Sequence, residues 1–185
     1  VGAGAMGVVY LAHNSDGKKV ALKVINKKHC DDEEFIKRFQ RETQAVTMLQ
    51  HPNIVAAIDT GNYGEDLYLA TEYVNGPSLS EILEDFGPLP EFYVLKCMQQ
   101  MVSGLGYAYE QSALVHRDLK PPNILIEHGE FSLKSDLEPR LDDDVAKIID
   151  FGLAKKTDDT DYLTLTGLTV GTPHYMAPEQ IRADP

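Results

Sequence analysis

Cysteine is scarce in this 185-residue chain: Cys30 and Cys97 stand at no metal-ligand spacing and are too few for a disulfide framework. Basic residues are also short, and 17 Lys and Arg against 29 Asp and Glu leave a net charge of −12, which argues against a nucleic-acid partner. No uncharged apolar run approaches the roughly 18 residues of a spanning helix, so no membrane segment is expected within residues 1–185. Internal repeats are absent too. What is present is ordinary globular composition, 43% hydrophobic and 25% charged, which disfavours disorder and allows one domain or two small ones. Two thiols suit a reducing compartment, so the cytoplasm is the expected location. The chain starts at Val1 and stops at Pro185 just after a helix-like stretch, so both ends read as cut, and an anchor or further domain elsewhere is compatible with it.

The negative charge is not spread evenly. Asp31 to Glu34 carry −4, Glu127 to Asp144 carry −5 and Asp158 to Asp161 carry −3, and the rest is balanced. These runs read as solvated loop or helix-start charge. Residues 8–12 and 19–25 read as two strands joined by an Asn14-Ser15-Asp16-Gly17 turn. Residues 31–49 read as a helix, residues 54–59 and 67–74 as strands around a Gly61-to-Gly64 turn, and Ser78 with Glu81 as a capping box opening a short helix. Glu91 to Ser112 is expected to form a long helix buried along Val94, Met98, Met101, Leu105 and Ala108, with both methionines in the core. The reading is α+β: a five-stranded antiparallel sheet with one helix, then mainly helices.

Gly2, Gly4 and Gly7 form a GxGxxG loop, whose missing side chains let backbone amides approach a phosphate. A dinucleotide fold would need a helix next and an acid about 20 residues on; strand residues follow instead, and Lys23 stands at that distance. The helix stripe Phe35, Phe39, Val46 and Leu49 has a vacant place filled by Glu42. A carboxylate on a buried face needs a partner, and Lys23, a cation within a strand, needs one as well. The two are expected to pair.

Short apolar runs bracket two polar clusters, HRDLKPPN at 116–123 and DFG at 150–152, and APE follows at 177–179. Taken with GxGxxGxV, VALK and Glu42, this ordered set resembles the signature of eukaryotic-type protein kinases, and GTPHYMAPEQ is similar to the same segment in bacterial Ser/Thr kinases. The resemblance implies a bilobal kinase fold, with residues 1–74 as an N-lobe lacking the start of its first strand. Residues 75–185 would be a partial C-lobe that ends after the activation segment 150–179.

It also implies roles. Asp118 would take the substrate hydroxyl proton, Lys120 would lie on the transferring phosphate, and Asn123 and Asp150 would hold Mg²⁺ on ATP. Gly2, Gly4, Gly7 and Lys23 would meet the phosphates, with Glu42 supporting Lys23. Glu72 and Val74 would offer backbone groups to adenine behind Thr71, and Val9 and Ala21 would cover the ring. Val46, His116 and Phe151 would stack as a spine, so His116 is expected to be packed rather than catalytic. Arg38, Arg117 and Lys155 would gather on a phosphothreonine at Thr164, Thr166 or Thr169, formed by association of two kinase copies, while Thr172 would contact the catalytic loop. The implied partners are ATP and proteins carrying Ser or Thr. Departures are Pro122 and a 27-residue interval from Asn123 to Asp150, assigned to an acidic insertion at 127–144. A pseudokinase scaffold would typically have lost Lys23, Asp118 or Asp150, all present here, and a small-molecule phosphotransferase would not normally carry APE.

Overall fold

The computed structural model describes residues 2–4, 7–26, 33–127, 144–151 and 173–182. Its first part is a five-stranded antiparallel sheet in the order β1-β2-β3-β5-β4. The strands are β1 (Gly2–Gly4), β2 (Gly7–His13), β3 (Lys19–Ile25), β4 (Ala57–Tyr63) and β5 (Asp66–Glu72), with helix α1 (Glu33–Thr47) between β3 and β4. The glycine loop is thus a hairpin: Gly2 pairs with Val9 and Gly4 with Gly7. A Cβ on Gly7 would run into the Val24 carbonyl, so glycine is required there by packing alone. Helix α1 lays Phe35 and Phe39 on Ile25, Leu67 and Leu69, which is how it grips the sheet.

The expected turn at Gly61 to Gly64 is shorter than its composition suggests. Gly61 and Asn62 lie inside β4 opposite Tyr68 and Leu67, and the Tyr68 ring covers Gly61. Cross-strand pairing has overridden turn propensity, and only Gly64, with φ 61°, keeps a turn conformation.

Beyond β5, helix α2 (Leu79–Phe86) opens on a complete capping box between Ser78 and Glu81. Helix α3 (Glu91–Ser112) has the expected bounds, but its buried face is Tyr93, Cys97, Gly104 and Ala108. Val94 and Met98 are 39% and 49% exposed, so the expected stripe is rotated by one residue over its first half, while Met101, Leu105 and Ala108 lie on the core as expected. Gly104 explains the rotation. It brings the helix backbone against Asn53, Ile54 and Ile148, a fit that a hydrophobic count does not register.

The 3-10 turn Pro121–Asn123 leads into β6 (Ile124–Glu127), which pairs antiparallel with β7 (Val145–Ile148). The expected insertion therefore connects the two strands of a ribbon, and its interior, 128–143, lies outside the described residues. Segment 53–55 joins β7 through hydrogen bonds from Ile148 N to Asn53 O and from Val55 N to Ile148 O. Helix α4 (Pro178–Arg182) closes the described chain.

Candidate active site

Register places the expected nucleotide residues on one face of the sheet. Val9 faces Lys23 across β2 and β3, and Ala21 faces Thr71 across β3 and β5. Directly opposed residues share a face, as do positions two apart along a strand, so Val9, Ala21, Lys23 and Thr71 project together. Past β5, Val74 is buried, and its N–H makes no hydrogen bond among the described residues. The Glu72 carbonyl accepts from the Thr71 hydroxyl at 3.2 Å.

On the second side, the 116–123 segment is held from several directions. Lys120 Nζ lies 2.9 Å from Asp118 Oδ2. Asn123 is buried and donates its Nδ2 to the Asp118 backbone carbonyl at 2.8 Å, while its own backbone carbonyl accepts from Ile149 N at 3.0 Å. That second bond ties the 116–123 segment to the residue before Asp150. Both Arg117 and Asp150 adopt left-handed backbone, φ 61° and 58°, a conformation that side chains other than glycine hold only when the surroundings impose it.

His116 is packed, as expected. Its Nε2 lies 2.8 Å from the Ile149 carbonyl, and Nδ1 accepts the Asp118 N–H at 3.2 Å. The carbonyl contact requires the proton on Nε2 and the amide contact requires a lone pair on Nδ1, so the ring is neutral. Burial, the largest influence, also lowers its pKa. Its ring tilts on Phe151 at 5.0 Å, and Val46 belongs to the same apolar cluster.

The pairing expected between Lys23 and Glu42 is replaced by another. Lys23 Nζ sits 2.7 Å from Asp150 Oδ2, and Glu42, buried on α1, has its Oε1 4.0 Å from Arg117 Nη1. The turn at Asp150 brings its carboxylate to the β3 face, and Arg117 supplies positive charge to Glu42. Of the basic residues expected around a phosphothreonine, Arg117 is thus at Glu42, and Arg38 Nε is buried with no hydrogen-bond partner among the described residues. Lys155, Thr164, Thr166, Thr169 and Thr172 lie outside them.

Sequence reasoning missed Lys147. Its ammonium is buried 2.8 Å from Glu72 Oε1 and 3.6 Å from Glu127 Oε2, joining β5 to the β6–β7 ribbon. A lysine inside the apolar run Val145 to Ile149 was the available signal. Asn53 and Gln100 were missed as well. Asn53 Nδ2 donates to Gln100 Oε1 at 2.9 Å and to the Ala146 carbonyl at 3.0 Å, filling a polar gap between α3 and β7.

The whole chain, residues 1–185, matches the family model described as protein kinase domain. The chain belongs to the protein kinase family. It is similar to Serine/threonine-protein kinase pkn3 of Myxococcus xanthus, 42% identical over 98% of this chain and 32% of that protein. It is 39% identical to Serine/threonine-protein kinase PrkC of Bacillus subtilis over 98% of this chain and 26% of that protein. Among solved structures, the PknI kinase domain of Mycobacterium tuberculosis superposes with TM-score 0.70 at 33% identity, covering 84% of this chain and 58% of that one. Rad53 in complex with AMP-PNP gives 0.73 at 30% identity, covering 99% of this chain and 41% of that one. The chain spans a third or less of the length of these curated relatives. The α+β kinase fold expected from the motifs is the observed one.

Proposed function

We propose that this kinase chain carries the nucleotide-binding and catalytic segments of a serine/threonine protein kinase that transfers the γ-phosphoryl group of Mg-ATP to protein hydroxyls. The observation that carries the proposal is the pair of Lys–Asp contacts, Lys23 with Asp150 and Lys120 with Asp118, joined through Asn123. Phosphoryl transfer needs little covalent help and much positioning of charge, and two ammoniums and two carboxylates at one junction supply it. We assign residues 1–74 to the N-lobe and 75–185 to the C-lobe.

The donor set suits Mg²⁺. Asp150 offers an anionic oxygen, and Asn123, having spent Nδ2 on Asp118, keeps a neutral carbonyl oxygen. Mg²⁺ is commonly held by one or two protein oxygens together with phosphate oxygens, and these two residues can supply that number. Bound there, the ion would neutralise those oxygens. Lys23 and the backbone of the Gly2, Gly4 and Gly7 loop would hold the phosphate tail, Val9 and Ala21 would cover adenine, and the Glu72 carbonyl and Val74 N–H would read its edge. Asp118 would receive the proton as the substrate oxygen bonds to phosphorus and ADP leaves, with Lys120 countering charge on the moving phosphoryl group. Glu42 acts through Arg117 in this arrangement.

Proteins carrying Ser or Thr are the proposed substrates and the cytoplasm the proposed compartment. Thr164, Thr166 and Thr169 are the proposed sites of autophosphorylation between two copies, and active protein lacking any modification there contradicts that part. The test of the whole is radiolabel transfer from ATP with Mg²⁺ to a generic acceptor protein, using the protein at its natural length. Asp150→Asn and Lys23→Ala should each lose at least about 100-fold in rate, of the order seen when one charged transition-state contact is removed. Equal labelling by all three proteins contradicts the reading.

A further inference from the structure

The peptide unit linking Arg117 to Asp118 is gripped at both of its polar ends. Its N–H, that of Asp118, lies 2.9 Å from the His116 carbonyl and 3.2 Å from His116 Nδ1. Its C=O, that of Arg117, accepts a 2.7 Å hydrogen bond from Gln180 Nε2 on α4. The next carbonyl along, that of Asp118, is taken by Asn123. Asp118 therefore stands between two fixed carbonyls, the first held from α4 and the second from within the 116–123 segment.

Gln180 uses both ends of its amide. While Nε2 reaches Arg117, Oε1 accepts the Ala177 N–H at 3.0 Å and so closes the first turn of α4. The Arg117 bond matters more than its length suggests, because Arg117 has φ 61°. A residue in that region is strained and stays there only if its neighbours over-determine it. Release of the carbonyl leaves the peptide plane held through its N–H end by His116, and a plane held at one end aligns the Asp118 side chain less firmly.

We propose that Gln180 is a positioning residue for Asp118, aligning the carboxylate by fixing the 117–118 peptide. The proposal rests on Asp118 as the proton acceptor described above.

The two jobs of Gln180 separate by substitution. Gln180→Glu keeps an oxygen for the Ala177 N–H, and its negative charge suits a helix start, but it has no donor for the Arg117 carbonyl. Gln180→Met keeps the bulk and loses both bonds. Steady-state phosphorylation of a generic acceptor protein, thermal melting and an Asp118→Asn control are measured on the protein at its natural length. Both Gln180 variants should lose about three- to tenfold in kcat, the worth of one neutral hydrogen bond. The KM for ATP should stay within about twofold, and Gln180→Glu should melt with the parent. Parental kcat in Gln180→Glu overturns the proposal, and so does a kcat loss matched by a fall in melting temperature in that variant. Asp118→Asn at parental activity would instead remove the role given to Asp118, whatever Gln180 does.

Discussion

His116 and Glu42 show how single buried polar groups are resolved at this site. Burial lowers the His116 pKa, so the unfolded chain takes up a proton at a pH where the folded chain does not. The stability contributed by neutral His116 is complete above its unfolded pKa of about 6.5, and it falls away as pH drops toward the lower folded value. Melting temperature should therefore decline on acidification below about pH 6.5, and His116→Gln, which keeps an N–H for the Ile149 carbonyl, should flatten that part of the curve. An unchanged slope in the variant contradicts the assignment. Glu42 was legible as a buried carboxylate in need of a cation; which cation was not. Lys23 and Arg117 both carry the required sign, and the choice depends on the left-handed turns at Arg117 and Asp150, which composition does not encode.

Helix α3 separates what a periodic pattern specifies from what it leaves open. Its ends, Glu91 and Ser112, follow from the chain itself, yet apolar residues lie nearly all round it, so two neighbouring stripes were equally eligible. Gly104 decides between them by close approach. A Cβ there would sit 3.2 Å from the Asn53 carbonyl oxygen and 3.3 Å from side-chain carbons of Ile54 and Ile148, whereas Gly106 has nothing within 4 Å. Gly104→Ala gains helix propensity of about 1 kcal/mol but meets overpacking of about 1–3 kcal/mol, for a net loss of up to about 2 kcal/mol. Gly106→Ala meets no such opposition and should stabilise by about 0.5–1 kcal/mol. Denaturant unfolding of both variants checks the contrast, and equal effects contradict the packing. At the start of α2, Ser78→Ala removes the side-chain acceptor for Glu81 N and should cost about 1 kcal/mol by the same measurement.

Across the molecule, the β6–β7 ribbon is joined to β5, to α3 and to the 53–55 segment by polar contacts between residues far apart in sequence. Asn53 bonds to Gln100 and Ala146, and Lys147 to Glu72. None was visible beforehand, because each partner is unremarkable alone and separations of 47 to 93 residues have no local signature. Asn53→Ala should cost about 1–3 kcal/mol by leaving the buried Ala146 carbonyl without its donor, while Gln100 Oε1 keeps the Ala146 N–H, read as a lower denaturation midpoint at unchanged slope. The motif residues, by contrast, were legible because their spacing is rigidly linked to strand ends and turns. Lys23, Asp118, Lys120, Asn123 and Asp150 all lie in the contact network joining β3, the 116–123 segment and the turn after β7. Their convergence on a magnesium nucleotide's phosphates is the central claim, and calorimetric titration of the natural-length protein with a non-hydrolysable ATP analogue tests it most directly. Affinity should tighten when Mg²⁺ is added, and Asp150→Asn should erase that gain while leaving Mg²⁺-free binding in place. The same Mg²⁺ dependence in parent and variant would contradict the account.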